Sequence, residues 1–475
     1  EQKVSENSQS RYQKLLSNLT TDQIADFKNL MADSTEGKNI KGVWFEDSYI
    51  RKYPLGTFAS DVVGFASATN GGELGIESQY DEELTGTNGT TYSYVDEGLE
   101  VTETQKNAVD GNNIVTTLDY NVQSIIEKCI LEYNEEKPSK NTAVVVADPS
   151  NGEILGMASY PTFNLNDPRK LTGMYTDEEI KDMSDEEYRN NLYSLWTNYC
   201  VSESYEPGST FKPVTVASAL EEGVVKDGDT YVCKGFETVA DYKLKCHVFS
   251  TIGSHGSLTV EQALMNSCNP YMIHLALEMG NSRFAYYQSL FGFGKITGIV
   301  YGDRMTTIDA ACNSFGQTIN VNMMQMMAAY CSIINGGMLY QPHIVKRIES
   351  ANGEVVKEYK ANLVRQTITA STSKLLRRYL KNTVEEGTAK KAGVTGYSVA
   401  GKTGTAQKGD RKDNKWIISF IGHAPAENPK FAIYVVIDEP YGTTGTSGSS
   451  ADVLTLTHNI LEKLLPYMNV YKDAS

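Results

Sequence analysis

Apolar and polar positions follow different periods along the chain, and the changes of period divide it into regions. Residues 11–32 show the three-to-four-residue spacing of apolar positions that predicts an amphipathic helix. Residues 53–101 are rich in Gly, Thr, Asn and Ser with short apolar bursts, which is typical of a small, irregular, strand-rich module. We therefore predict an N-terminal domain over residues 1–108 and a larger second domain over residues 109–475.

The second domain is predicted to begin and end with strands and to be helical in between. Residues 112–137 indicate a strand, a cap at Asp119 and a long helix, and residues 142–161 indicate a β-hairpin. A strand, a second strand and a helix are predicted at 415–424, 430–440 and 451–465. Helical patterns occupy residues 176–188, 210–222, 259–280 and 320–335. This order predicts an α+β fold, with an antiparallel sheet that joins the first and last strands, flanking helices and a helical subdomain.

Charge and composition narrow the classes of partner. The 475 residues include 59 Asp and Glu against 43 Lys and Arg, and no basic block is present that would neutralise a phosphate backbone. Nucleic acid is therefore not expected as a partner. The longest strand-like apolar run, 431–437, is far too short to cross a membrane. Because the sequence begins with Glu1 rather than Met, we expect a signal or membrane anchor to precede it.

The segment GSTFK places a serine and a lysine one helical turn apart. Ser209 and Lys212 are three residues apart, so a helix would present both side chains on one face, about 5–6 Å apart at Cβ. A serine at a helix N-terminus also lies near the positive end of the helix dipole. This arrangement suits a lysine that takes the proton of a serine nucleophile, provided that burial or another cation lowers the lysine pKa from about 10.4.

The Ser-x-x-Lys spacing alone is weak, because a chain of this length contains such pairs by chance. Ser371 and Lys374, in the segment STSK, form one of them. The structural alternative for Ser209 is a helix N-cap followed by an exposed lysine. Further motifs are needed to decide between the two interpretations.

Two triplets later in the chain supply these further motifs. Ser267-x-Asn269 falls just inside a helical pattern, where a bent turn can present a hydroxyl and an amide to one cleft. Lys402-Thr403-Gly404 falls where a strand begins, and Gly404 leaves room for the close approach of a substrate. Each triplet is weak alone. The ordered set is the one that penicillin-binding proteins and class A β-lactamases carry, with a cysteine in the middle of the second triplet.

The chain resembles a class B penicillin-binding protein, a peptidoglycan D,D-transpeptidase, over nearly its whole length. Residues 51–94 resemble the family's N-terminal pedestal, called the dimerisation domain, and include its G-x-E-x-x-Y-D signature. The transpeptidase motifs follow in the family's order as EPGSTFKP, NSCNP, SFGQTINV, INGGMLYQPHIV and AGKTGTAQ. The resemblance implies a penicillin-binding/β-lactamase-like transpeptidase domain for residues 109–475 and a pedestal domain for residues 1–108.

The resemblance implies a role for each motif residue. Ser209 would be the nucleophile that becomes acylated, and Lys212 would be its base. Ser267 would relay a proton to the leaving amine, and Asn269 would hold the substrate amide. Lys402 would supply positive charge that helps to keep Lys212 neutral.

The substrate would bind along the third motif. Thr403 and Thr405 would bind its terminal carboxylate, with Gly404 between them, and the backbone N–H groups of Ser209 and Thr405 would form the oxyanion hole. The implied reaction is attack on the penultimate D-Ala carbonyl of a stem peptide, loss of the last D-Ala and transfer of the acyl group to an amine on a neighbouring strand. β-Lactams would acylate Ser209 because they mimic the terminal dipeptide. No cofactor is implied for catalysis.

The family also implies a location and a partner. Its members carry a single membrane anchor, hold the catalytic domain on the extracytoplasmic face of the cell membrane and generally work with a membrane glycan polymerase. The sequence lacks the anchor and the arginine–glycine segment that normally follows it. Residues 298–317 are also shorter than the family pattern leads us to expect. Neither departure touches a catalytic position.

Cysteine and histidine residues lie between the first two motifs. Cys233, Cys246, His247 and His255 are ligand types of a closed tetrahedral zinc site, with Asp241 as an alternative oxygen ligand. We predict a structural zinc held by Cys233, Cys246 and His255, because a His-Gly turn can point back at the hairpin. A disulfide between the two cysteines and two unlinked thiols are the alternatives.

The other nearby cysteines have simpler interpretations. Cys268 lies inside the second motif and, by spacing, points away from Ser267 and Asn269, which favours a packing role. Cys312 and Cys331 are interpreted as core residues. None of the three is predicted to bind a metal.

Two other functions are compatible with the motifs. In a β-lactamase or a D,D-carboxypeptidase, water rather than an amine would take the acyl group. Such enzymes would not need residues 1–108, and class A hydrolases add a glutamate for the deacylating water that the sequence does not identify. A non-catalytic β-lactam-binding scaffold is the second alternative, and the intact motif residues argue against it.

Overall fold

The computed structural model describes residues 12–17, 19–33, 35–46, 50–67, 71–95, 101–171, 174–294, 305–409, 415–440 and 449–472. The chain forms two compact units: Glu1–Lys52 with Ser67–Asn70, and Tyr53–Ala66 with Gly71–Ser475. Residues 298–304, where the sequence is shorter than expected, lie outside the described residues.

The elements are numbered along the chain. The α-helices are α1 (Thr21–Ala32), α2 (Ser60–Val63), α3 (Gly75–Gln79), α4 (Asp81–Leu84), α5 (Tyr120–Glu136), α6 (Asp177–Asp182), α7 (Asp185–Trp196), α8 (Tyr199–Ser202), α9 (Lys212–Glu222), α10 (Val260–Met265), α11 (Asn269–Met279), α12 (Asn281–Leu290), α13 (Thr307–Asn313), α14 (Met323–Ile334), α15 (Ala370–Glu385) and α16 (Ala451–Tyr467). The strands are β1 (Ala66–Ser67), β2 (Gly71–Gly72), β3 (Thr90–Val95), β4 (Val101–Lys106), β5 (Asn113–Thr116), β6 (Ser139–Ala147), β7 (Ile154–Tyr160), β8 (Thr230–Cys233), β9 (Phe236–Val239), β10 (Tyr242–Lys245), β11 (Gly256–Thr259), β12 (Met338–Tyr340), β13 (Val345–Glu349), β14 (Val355–Glu358), β15 (Leu363–Gln366), β16 (Ala400–Lys408), β17 (Lys415–Ala424) and β18 (Phe431–Pro440).

In the smaller unit, the N-terminal helix is shorter than the sequence predicts. It begins at Thr21, and residues 12–17 are irregular, so the first part of the predicted helix 11–32 is wrong. The reason is a capping box: Thr20 accepts the N–H of Gln23, and the Gln23 side chain accepts the N–H of Thr20. These bonds start a helix at Thr21, and the apolar period upstream does not identify that start.

The larger unit contains the predicted antiparallel sheet. Its five strands lie in the order β16-β17-β18-β6-β7, so the hairpin formed early in the chain pairs with the strands at its end. The register sets Val435 opposite Val144 and Thr405 opposite Ile418. The α+β prediction and the meeting of the first and last strands are therefore confirmed, and β16, which carries the third motif, is an edge strand.

The central strands are buried on both faces, which explains their continuous apolar runs. Val145 and Tyr434 point into one core, which the helices of the middle of the chain share, whereas Val144 and Val435 point into another core. Helices α5 and α16 cover the second face. Alternate residues of a strand point to opposite faces, so a strand covered on both sides needs apolar residues at every position.

Two predicted helices are broken in the structure. The predicted helix 259–280 is divided into α10 and α11 by a turn at residues 266–268, and residues 176–188 form α6 and the start of α7. In the first case Ser267 adopts a left-handed backbone conformation, φ +54°, which interrupts the helical hydrogen bonds. The apolar period continues across this turn, so periodicity alone does not reveal it.

Candidate active site

The first motif forms a tight turn that leads directly into a buried helix. Gly208–Phe211 is a 3₁₀-helix, and Lys212 begins α9 immediately after it, followed by a proline that suits the first turn of a helix. The side chain of Ser209 is partly exposed and makes no hydrogen bond within the described part of the chain. The turn therefore leaves the Ser209 hydroxyl partly exposed to solvent, whereas Lys212, three residues later, is 0% exposed.

The ammonium of Lys212 is held by the second motif. Its Nζ donates to the backbone oxygen of Ser267 at 2.6 Å, to Ser267 Oγ at 3.0 Å and to Asn269 Oδ1 at 2.7 Å. The left-handed conformation of Ser267 turns both its carbonyl and its hydroxyl toward this amine. Strain of this kind costs about 1–3 kcal/mol and is typical of functional sites.

The third motif brings a second buried lysine to the same hydroxyl. Lys402, on edge strand β16, is also 0% exposed, and its Nζ donates to Ser267 Oγ at 3.1 Å and to the backbone oxygen of Thr403 at 3.1 Å. Ser267 Oγ thus accepts from both amines. Among the described residues, the hydrogen-bond partners of the two lysines are hydroxyl, amide and carbonyl oxygens, with no carboxylate among them.

Burial of two cations without a counter-charge lowers both pKa values. Burial lowers the pKa of the Lys212 ammonium to about 8, against the opposing influence of Cys268 and Cys246. Burial, with repulsion from Lys212 added, lowers the pKa of Lys402 well below its usual range. The expected roles of Lys212 as the base and of Lys402 as its charged partner remain predictions.

Two glycines allow the turn and the edge strand to touch. Gly208 has φ +57°, and a Cβ atom there would lie 2.5 Å from the backbone oxygen of Thr405. A Cβ atom on Gly404 would overlap Ser419 Oγ and lie 2.9 Å from the backbone oxygen of Pro207. The missing side chain of Gly404 thus makes room for the serine turn and β17, and its expected role in the approach of a substrate remains a prediction.

The predicted metal ligands come together, and a fourth joins them. The ligand atoms of Cys233, Cys246, His255 and Cys268 lie within 4.8 Å of one another, and the three cysteines are buried. Cys268 is fully buried, and its sulfur also lies in this cluster, next to the turn that bends Ser267 toward Lys212. Tetrahedral ligands 2.3 Å from a zinc ion lie about 3.8 Å apart, so the spacing fits such a site.

The structure also separates the alternatives at this cluster. All seven cysteines are free thiols, which is against the disulfide between Cys233 and Cys246. His255 Nδ1 lies 3.6 Å from Cys246 Sγ, whereas His247 bonds through Nε2 to the backbone oxygen of Asn266 at 3.0 Å. Hydrogen bonds from Cys268 and His255 lower the pKa of Cys246. Asp241 is not part of the cluster.

The sequence analysis missed Glu206, which lies just before the serine turn. Its Oε1 accepts the backbone N–H of Thr318 at 2.9 Å, and Gly208 N–H bonds to the backbone oxygen of Gly316 at 3.0 Å. Burial raises the pKa of the Glu206 carboxyl. The acidic residue thus ties the SFGQT segment to the turn that carries Ser209, and only its position beside Pro207 could have indicated this.

Comparison with known proteins identifies the class. Residues 142–462 match the penicillin binding protein transpeptidase domain, and residues 1–116 match the penicillin-binding protein dimerisation domain. The first match covers more than half of the chain, so the chain belongs to the penicillin-binding protein transpeptidase family. The family expected from the sequence is confirmed.

Within that family, the chain is similar to several named proteins. It is 36% identical to stage V sporulation protein D of Bacillus subtilis over 462 residues, which cover 93% of this chain and 68% of that protein. It is 28% identical to peptidoglycan D,D-transpeptidase FtsI of Escherichia coli K12 over 465 residues, covering 94% of this chain and 72% of that protein.

Solved structures show the same fold. Penicillin binding protein 2X of Streptococcus thermophilus has a TM-score of 0.77 at 26% identity, covering 94% of this chain and 67% of that chain. Penicillin binding protein 3 of Mycobacterium tuberculosis, complexed with ampicillin, has a TM-score of 0.73 at 26% identity, covering 90% of this chain and 91% of that chain.

Among the described residues, no helix combines the length and apolar character needed to cross a bilayer.

Proposed function

We propose that this protein is a serine D,D-transpeptidase that cross-links peptidoglycan stem peptides through an acyl-enzyme on Ser209 and is acylated by β-lactams. The observation that carries the proposal is a pair of fully buried lysines, Lys212 and Lys402, which both donate to Ser267 Oγ. Lys212 lies one helical turn after Ser209, which is partly exposed. Buried, unpaired cations are costly for folding and are therefore expected where chemistry needs them.

In the first step, Ser209 Oγ attacks the penultimate D-Ala carbonyl carbon and passes its proton to neutral Lys212. The N–H groups of Ser209 and Thr405 would stabilise the oxyanion that forms, and Thr403 and Thr405 would bind the terminal carboxylate. The C–N bond then breaks, and the departing amine takes a proton through Ser267, which already bonds to Lys212. An ester on Ser209 remains.

In the second step, an amine of another stem peptide attacks the ester carbon. The C–O bond breaks, Ser209 recovers a proton, and a new amide cross-link is released. In a β-lactam the broken C–N bond belongs to a ring, so the amine stays tethered to the acyl group. The acyl-enzyme with such a drug is therefore expected to be long-lived.

We expect the rate constant for acylation by a penicillin to rise with pH up to about pH 8. Lys212 can accept the Ser209 proton only when neutral, and its lowered pKa of about 8 means that the neutral fraction increases about tenfold per pH unit below that value and then levels off. Stopped-time labelling with a fluorescent penicillin between pH 5.5 and 9 measures the profile. A flat profile over this range would show that Lys212 is not the base.

The setting of the reaction is also proposed. Because its relatives are cell-wall enzymes, we place the chain at the cell membrane, held by an anchor that precedes residue 1, with residues 109–475 on the extracytoplasmic face. A membrane glycan polymerase, which would supply the strands to be cross-linked, is the proposed partner.

We also propose that Cys233, Cys246, Cys268 and His255 bind a structural zinc ion. Three thiolates and one imidazole make a closed site with no open position for substrate, so the ion would stabilise the fold without entering the reaction. It would tie strands β8 and β11 to the turn that carries Ser267, because Cys268 lies next to that serine.

Purified protein is expected to contain about one zinc ion per chain, and Cys268→Ser to contain little or none. Removal of the ion by a chelator is expected to lower the melting temperature by several degrees, because metal binding stabilises only the folded state. Metal analysis and thermal unfolding measure both effects. The matched control is Cys331→Ser, a buried cysteine outside the cluster, which should keep its zinc. Zinc-free protein with an unchanged melting temperature would refute the site.

A further inference from the structure

A cleft outside the three motifs lies within the larger unit, at the opposite edge of the central sheet from the third motif. A cleft of about 290 Å³ is enclosed by residues 57–62, helix α5 and the end of edge strand β7. Its walls combine apolar side chains, including Ile130, Leu131 and Met157, with two carboxylates, Asp61 and Glu127. Nothing in the transpeptidase reaction uses this cleft.

Asp61 has one carboxylate oxygen without a partner. The residue is 8% exposed, and its Oδ2 accepts from Ser159 Oγ, but its Oδ1 is buried without any hydrogen-bond partner among the described residues. Such a buried oxygen lowers the stability of the folded state, because it has lost its hydrogen bonds to water and forms no hydrogen bond within the protein to replace them. Burial raises the pKa of this carboxyl to about 7, and the nearby Glu127 adds to the shift.

The second carboxylate is also without a cation. Glu127 Oε1 accepts the backbone N–H of Ala59 at 2.6 Å and Gln123 Nε2 at 2.7 Å. Neither Glu127 nor Asp61 forms an ion pair with a Lys, Arg or His of the described residues. Lys128 lines the cleft, but its Nζ lies 3.7 Å from Glu132 Oε1, and its side chain is 70% exposed. The two acids therefore line the cleft without a counter-charge from the described residues.

We propose that this cleft binds a primary alkylammonium group, with its nitrogen between Asp61 Oδ1 and Glu127 and its aliphatic chain along Ile130, Leu131 and Met157. The ammonium would donate to the carboxylate oxygen that lacks a partner and would neutralise part of the paired negative charge. The apolar wall would bury the methylene groups next to it.

The shape and chemistry of the cleft favour an organic cation over a metal ion. A hard cation needs six or more oxygen ligands at about 2.3–2.6 Å, whereas the nearby hydroxyls of Ser60 and Thr162 already bond to each other at 2.8 Å. A volume of about 290 Å³ also corresponds to several non-hydrogen atoms rather than to one ion. Such an amine can be a free diamine or the side chain of a lysine-type residue in a peptide.

The test is thermal unfolding and calorimetric titration of the full chain with two probes. The first is 1,4-diaminobutane, and the second is Nα-acetyl-lysine amide, with Nα,Nε-diacetyl-lysine amide as the probe that lacks the ammonium. We expect either amine at about 10 mM to raise the melting temperature by about 2 °C or more, and the diacetylated form to have no effect. Binding of both amines, or of the peptide-like amine alone, supports the proposal and identifies the source of the ammonium.

Variants locate the effect. Asp61→Asn is expected to abolish the rise in melting temperature and to weaken the apparent affinity for the amine at least tenfold. Glu127→Gln serves as the second variant if Asp61→Asn does not fold. Asp438→Asn is the matched control, since Asp438 is a buried carboxylate that pairs with Lys408 outside the cleft. The proposal is overturned if no amine shifts the wild-type protein, if the variants respond like the wild type, or if calcium or potassium chloride alone gives the shift. Penicillin labelling of the same samples reports separately on Ser209.

Discussion

Replacement of Ser209 by Ala is expected to reduce labelling by a fluorescent penicillin by more than about 10³-fold. The covalent ester needs this hydroxyl, and no neighbouring group can take its place, so the loss should be of the size seen when a nucleophile is deleted. Labelling in a gel and intact-protein mass spectrometry measure the adduct. The variant should keep the wild-type melting temperature, because Ser209 Oγ makes no hydrogen bond within the described residues.

The chain supplies a matched control for this experiment. Ser371 and Lys374 repeat the Ser-x-x-Lys spacing, but Ser371 is exposed and its Oγ lies 2.8 Å from Thr369 Oγ1 at the start of α15. Ser371→Ala should label like the wild type. An adduct on any residue other than Ser209 would contradict the proposed mechanism. Rapid release of hydrolysed drug from a wild-type adduct on Ser209 would favour the β-lactamase or D,D-carboxypeptidase alternative.

Replacement of Lys402 by Met is expected to slow acylation by about 10²–10⁴-fold without lowering the melting temperature. The amine of Lys402 donates to Ser267 Oγ and to Thr403, and its loss would remove both the orientation of the proton relay and the charge near the substrate carboxylate. Stability should be kept or increased, because methionine has a similar length and carries no buried charge.

The control for this variant lies on the same strand. Lys408→Met changes a lysine six residues further along β16 whose Nζ pairs with Asp438 at 2.8 Å, and it should leave acylation close to that of the wild type. Acylation kinetics and thermal unfolding of the two variants therefore separate a role in catalysis from a general effect of losing a lysine. Acylation of Lys402→Met at the wild-type rate would show that the third motif does not act through this amine.

Much of the fold follows from local patterns. The strand at 113–116, the cap at Asp119 and the hairpin at 139–160 correspond to the predicted elements, because capping residues, turn residues and apolar runs act on their near neighbours. The continuous apolar period over residues 259–280 predicts a single helix. Pro270, in the first turn of α11, is a local signal that a new helix starts there. The bonds of Ser267 to Lys212, which is distant in the sequence, are not contained in any local pattern.

The sequence by itself determined the family, the α+β class and the three motifs, because residue type, order and spacing are properties of the chain alone. Only the tertiary structure decided that Cys268 joins Cys233, Cys246 and His255, that Gly404 makes room for the serine turn, and that burial lowers the pKa values of Lys212 and Lys402. These features depend on which distant atoms meet and on how much water burial removes from them. Such quantities exist only when the chain is folded.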